Sequence, residues 1–379
     1  MQKLDSRHTT GYLKGIAITG VVVGHTLNYY LPGSVRWTEG LDNGLVAIFF
    51  VLSGYGIYHS LERRLGVEEN RPRALLHYYA GRAWRVYPLF WLALLVTPFF
   101  LQAYSGWHNP GLSLGLKFLG FGGFLGAYTR PNEFTWFIYA LIPCYLAAPL
   151  LFVLLRKVGI IWYIAVNLAL GAACLAASVW SLRHLAALPD QSFVYRRFIL
   201  ANILLFSSGM MINPLLGTLN SFLKQTATRY MAVFISTIFF VVCLIFTRIP
   251  NVLFHNSETL LGPFFDISAF CLCLAFIVGQ PVLPLRETVN FLGRHSYPIY
   301  LFHLSFWGLL ATWGVVTPYS ISLDGPPGNL AVTLLLLPLF ILICYLLDRL
   351  QHMARSRYLL LINQRNNTAT ESTTLDPLL

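Results

Sequence analysis

Long apolar runs separated by short polar turns fill this chain almost from end to end. About ten of them reach the roughly twenty residues needed to cross a hydrocarbon core: 11–30, 41–60, 86–104, 134–155, 158–180, 198–216, 229–247, 259–279, 296–316 and 329–349. In lipid the backbone must satisfy its own hydrogen bonds, so such runs read as helices. The stretch 114–125 is apolar but short and carries Gly115, Gly120, Gly122 and Gly123. It reads as an interfacial or re-entrant piece rather than a span. The pattern predicts an all-α fold: a polytopic membrane helical bundle with about ten transmembrane helices.

Composition excludes other classes. The chain is 56% hydrophobic and only 11% charged, against about 25% charged residues in soluble domains. No polar stretch has room for a soluble catalytic domain, so residues 1–360 read as one transmembrane domain. Residues 361–379 read as a polar, Thr-rich, disordered cytoplasmic tail. The first run carries Lys14 and His25 and lacks a clear small-residue cleavage site, so it reads as a retained span rather than a signal peptide. The net charge of +11 does not point to nucleic acid. Most Lys and Arg residues fall in alternate loops, as topology requires, which predicts both termini in the cytoplasm. Cys144, Cys174, Cys243, Cys271, Cys273 and Cys344 all lie in apolar runs and read as buried thiols, with no metal-ligand spacing.

Candidate chemistry comes from ionisable residues inside the runs, where charge is costly. Lys14 and His25 are eleven residues apart, which places them on one helix face, roughly 16 Å apart along the axis. A cation near one edge in line with a base deep in the bundle suits an anionic ligand with a long arm. Lys14 snorkelling to the surface and His25 bridging two helices are the structural alternatives. Gly11/Gly15 and Gly20/Gly24 are small-xxx-small pairs that let neighbouring helices approach. The second run holds Phe49-Phe-Val-Leu-Ser-Gly54, in which Ser53 can bond its own backbone. The most basic loop ends in Arg82-Ala-Trp-Arg85-Val-Tyr-Pro88. Its arginines, three apart, read either as an anchor at anionic lipid or as a phosphate site. Asp266 and His303 also lie within runs, and Asp266 is a candidate to orient His25 as a carboxylate orients histidine in hydrolase triads.

These residues together resemble the acyltransferase-3 family of multi-span membrane proteins. Four stretches carry the likeness in order: Lys14-x10-His25 following Leu4-Asp-Ser-Arg7; Phe49-Phe-Val-Leu-Ser-Gly54; Arg82-x-x-Arg85-x-x-Pro88; and Ser296-Tyr-Pro-Ile-Tyr-Leu-Phe-His303. One departure stands out. Many members carry Trp-x-Leu-x-x-Glu at the fourth span, where this chain has Trp136-Phe-Ile-Tyr-Ala-Leu141 and no carboxylate.

The resemblance implies transfer of an acyl group, usually acetyl, from cytoplasmic acyl-CoA to hydroxyls of extracytoplasmic or lipid-linked glycans. It implies that Lys14, Arg82 and Arg85 hold the donor's phosphates, with Ser53 and His303 in the donor site. His25, with Asp266, then serves as general base, or forms an acyl-histidine intermediate. Acyl-CoA or acetyl-CoA enters as donor substrate, with no tightly bound cofactor and no metal. The partners are acyl-CoA, a glycan or lipid-linked saccharide acceptor and membrane lipids, and the expected location is the bacterial inner (plasma) membrane. The alternative is a proton-coupled transporter or flippase for a lipid or sugar, with His25, Asp266 and His303 as relay.

Overall fold

A computed structural model describes residues 6–30, 35–67, 71–100, 112–121, 136–184, 199–222, 225–246, 257–314 and 328–373. Among them the chain is helical, with no strand. The elements are α1 (Ser6–Tyr30), α2 (Val35–Val67), α3 (Arg71–Phe100), α4 (Leu112–Phe118), α5 (Trp136–His184), α6 (Ile199–Phe222), α7 (Thr226–Phe246), α8 (Ser257–Gly279), α9 (Arg286–Arg294), α10 (Ser296–Thr312) and α11 (Gly328–Thr373). Six stretches among the described residues are long and apolar enough to cross a membrane, in α2, α5, α6, α7, α8 and α11. Helices α1 and α3 fall outside that set and carry Lys14, Arg82 and Arg85, while α10 has 17 residues.

The 49-residue α5 is two helices in one. At Gly159 the backbone takes φ 78°, ψ 165°, a conformation that is essentially open to glycine alone. The break falls at the second residue of the predicted run 158–180, close to the expected boundary with the run 134–155. Outward faces stay apolar: Met231, Phe234 and Ile235 on α7 and Leu335 and Leu339 on α11 are all more than half exposed. A surface of that kind is suited to lipid rather than water.

Glycines set the closest crossings. A Cβ on Gly54 of α2 would strike the Phe206 carbonyl of α6, and one on Gly209 of α6 would strike the Val51 carbonyl of α2. The two helices therefore meet backbone to backbone. Gly11 and Gly15 of α1 do the same against α9, where a Cβ would meet Asn290 and the Val289 carbonyl. The predicted packing role of that pair is borne out, but its partner is unforeseen. The stretch before the ninth run reads as a loop in the sequence, yet nine of its residues form α9 and lie along α1. The short 114–125 segment begins within the seven-residue α4, and Gly120 at φ 83° makes the turn that follows. Tyr87 and Trp91 of α3 donate to the carbonyls of Leu119 and Phe118, both at 2.8 Å, which ties this turn to α3, and residues 122–125 lie outside the described residues. Burial lowers the pKa of Lys117 in α4 below the ordinary lysine value.

Proline shapes the bundle where it removes a helical donor. Pro149 leaves the Tyr145 carbonyl of α5 without its usual partner, and the Tyr78 hydroxyl of α3 donates to it at 3.1 Å. All six cysteines are free, and Cys144, Cys174, Cys273 and Cys344 are buried. Helix α11 continues past residue 360 to Thr373, through much of the stretch whose composition suggests disorder. Residues 374–379 lie outside the described residues.

Candidate functional site

Lys14 sits where it does because α1 is clamped on two sides. Gly15 seats it on α9, and a Cβ at Gly20 would strike Leu45 of α2. The ammonium lines a cleft of about 540 Å³, part of it open to the outside. Helix α2 contributes Phe49 and Ser53, α3 contributes Arg85 and Val86, and α5 contributes Phe137, Leu141 and Tyr145 at four-residue intervals. Helix α10 adds Ser296, Tyr297 and Tyr300. All four quoted sequence stretches thus converge on one cavity.

The cleft is positive. Lys14 and Arg85 line it, and among the described residues no Asp or Glu does. Arg82 lies just behind, its guanidinium 5.9 Å from the Tyr78 ring centroid and 6.0 Å from that of Tyr145, within cation–π range. Burial lowers the Arg82 pKa, and the neighbouring charges of Arg85 and Arg64 lower it further, while Tyr145 and Tyr78 oppose the shift. Ser296 opens α10, so the positive end of that helix also lies at the cleft. Such a site favours an anion.

Deeper in the bundle two histidines meet. Tyr300 lines the cleft, its ring lies 5.7 Å from that of His303, and the His303 ring lies 4.8 Å from that of His25. In each imidazole Nδ1 is engaged by a backbone carbonyl: His25 with Val21 at 2.9 Å and His303 with Tyr300. With Nδ1 donating, each neutral ring carries its lone pair on Nε2. His303 is only 1% exposed, and its Nε2 has no hydrogen-bond partner among the described residues.

Asp266 borders a different pocket from Lys14. It lines a second cavity of about 240 Å³ with residues of α2, α5 and α6, among them Phe50, Trp136 and Asn202. Phe50 of this cavity and Phe137 of the cleft meet edge-on, with ring centroids 4.9 Å apart. The imidazole seen beside His25 is that of His303, a residue the sequence reading places in the donor site. Tyr145, Phe137 and Leu141 are absent from the sequence-based candidates, since an aromatic or aliphatic helix face looks the same in a core. Ser296, Tyr297 and Tyr300 lie inside a quoted stretch, and the i, i+4, i+7 spacing of Ser296, Tyr300 and His303 was their available signal.

A model of the acyltransferase-3 family, described as an acyltransferase domain, matches residues 10–349. The chain belongs to the acyltransferase-3 family. It is therefore a membrane acyltransferase, and the matched stretch contains all the cleft residues named above. No curated protein and no solved structure matches the chain. Leu141, which stands where many members carry a carboxylate, faces into the cleft.

Proposed function

We propose that this acyltransferase moves an acetyl group from cytoplasmic acetyl-CoA to a hydroxyl of an extracytoplasmic or lipid-linked glycan. The observation that carries the reading is the convergence of four separated sequence stretches on one cleft lined by Lys14 and Arg85, with no carboxylate among its described lining residues. The phosphates of CoA are the natural anion for that cleft, with Arg82 adding charge from behind. Lys14 and His25 share a face of α1, so the pantetheine arm extends along the helix toward the imidazole pair. The Nε2 lone pair of His25 then takes the proton of the acceptor hydroxyl as that oxygen attacks the thioester carbonyl. The carbonyl–sulfur bond breaks, and CoA leaves as thiolate. An acyl-histidine intermediate would follow the same geometry in two steps.

This reading includes ten spans, with α5 counted as two, both termini in the cytoplasm, and residence in a bacterial plasma membrane. The test is purified protein in liposomes supplied with labelled acetyl-CoA and a hydroxylated saccharide acceptor. Transfer by wild type and its loss in His25→Ala supports the assignment. Wild-type rates in His25→Ala refute the role of that base. Substrate-dependent proton flux without acyl-CoA would instead favour a transporter.

A further inference from the structure

Pro88 stands in the interior of α3, three residues after Arg85. Proline has no N–H, so the carbonyl four residues earlier, that of Trp84, loses its helical partner. A carbonyl left unpaired in a buried setting costs about 1–3 kcal/mol. Here another helix supplies the missing donor. The amide of Gln351, on α11, donates to the Trp84 carbonyl at 2.6 Å and to the Arg85 carbonyl at 3.1 Å. On the opposite flank the Tyr297 hydroxyl of α10 donates to the Val86 carbonyl at 2.6 Å. Three consecutive carbonyls, centred on Arg85, are thus held from two neighbouring helices.

The rest of α11 secures the donor. One turn before Gln351, Asp348 accepts from the His295 ring at 2.7 Å, which ties α11 to the junction of α9 and α10. About two turns beyond Gln351, Tyr358 packs on Trp84 with ring centroids 5.0 Å apart. Gln351 lies beyond residue 349, where the family match ends.

We propose that Gln351 is a positioning residue for Arg85: by capping the carbonyl that Pro88 orphans, it holds the Arg85 turn against the Lys14 cleft. The residue touches no substrate. It acts through the backbone from which the Arg85 guanidinium projects, so its loss weakens capture of the donor and leaves the transfer step intact. The kinetic expression of this inference rests on acyl-CoA being the donor.

The experiment compares wild type, Gln351→Ala, Pro88→Ala and the double variant, each purified as the full chain in liposomes. In Pro88→Ala the new N–H restores the helical partner of Trp84, and Gln351 has nothing left to cap. Gln351→Ala in the wild-type background should raise the KM for acetyl-CoA about fivefold, the equivalent of one net hydrogen bond, with kcat nearly unchanged. In the Pro88→Ala background the same substitution should change KM by less than about twofold. Hydrogen exchange over residues 84–92 should follow the same pattern without reference to any substrate: faster in Gln351→Ala, and unaffected by that substitution once Pro88 is replaced by alanine. Equal effects in both backgrounds overturn the proposal, as does unchanged exchange in Gln351→Ala or a fall in kcat at constant KM. If wild type does not use acetyl-CoA, the donor reading fails, and the exchange comparison alone decides the positioning role.

Discussion

The imidazoles of His25 on α1 and His303 on α10 lie 4.8 Å apart, centroid to centroid, inclined at 52°. Because a backbone carbonyl engages Nδ1 of each, the two rings present acceptor nitrogens rather than a donor–acceptor pair. Two neutral bases side by side offer an incoming proton two acceptors, which a base next to an aliphatic residue cannot do.

The first prediction concerns the division of labour between these rings. His25→Ala should lower kcat about 10²–10⁴-fold, the usual contribution of a positioned general base. His303→Gln should cost less, since it leaves the first base in place. The measurement is turnover of labelled acetyl-CoA in liposomes. A larger loss for His303→Gln than for His25→Ala would reverse the assignment.

The second prediction separates donor capture from chemistry. Lys14 and Arg85 line the cleft while the histidines lie deeper. A charge-assisted hydrogen bond is worth about 1.5–3 kcal/mol, so Lys14→Ala or Arg85→Ala should raise the KM for acyl-CoA about 10- to 100-fold. Lys14→Arg keeps the charge and should lose far less. Isothermal titration with CoA reads the same difference directly, and an unchanged affinity in Lys14→Ala would leave that residue as a snorkelling lysine.

The helical architecture was legible in the sequence because a lipid interior forces each apolar run to be a helix. Lys14 and His25 stood out as candidates because ionisable groups in such runs need a reason to be there, and Arg82 and Arg85 because they close the most basic loop three residues apart. Two things were not. Helix α9 is only nine residues long, too short for its periodicity to stand out between two spans. The His25–His303 pairing depends on which helices are neighbours, and spacing within one chain segment carries no such information. Asp266, at a similar depth to His25 by residue count, was the equally reasonable sequence choice. It lines a cavity with Phe50, whose ring packs on Phe137 of the cleft.

The third prediction tests the second proline device. Tyr78 donates to the Tyr145 carbonyl freed by Pro149, and Tyr145 lines the cleft. Tyr78→Phe keeps the ring that flanks Arg82 and removes only the donor. It should cost about 1–3 kcal/mol of stability, read as a lower unfolding midpoint in detergent. In a Pro149→Ala background the cost should largely disappear, because the backbone N–H that the substitution restores pairs with the Tyr145 carbonyl within the helix.

The fourth prediction uses two glycines of α2 separated by a single residue. A Cβ on Gly54 meets the carbonyl of Phe206 and approaches the amide of Met210, both backbone and unable to swing aside, whereas a Cβ on Gly56 meets nothing within 4 Å. Gly54→Ala must push α2 and α6 apart and should destabilise by about 1–3 kcal/mol, the usual cost of overpacking. Gly56→Ala should be neutral or gain up to about 1 kcal/mol, since alanine restricts the unfolded chain and suits a helix. Both substitutions add one methyl group to the same helix, so propensity alone predicts equal gains. Thermal unfolding of the two variants side by side therefore reads the α2–α6 contact itself. Because Ser53 and Phe49 reach the cleft from this same helix, Gly54→Ala should also lower transfer activity, whereas Gly56→Ala should not.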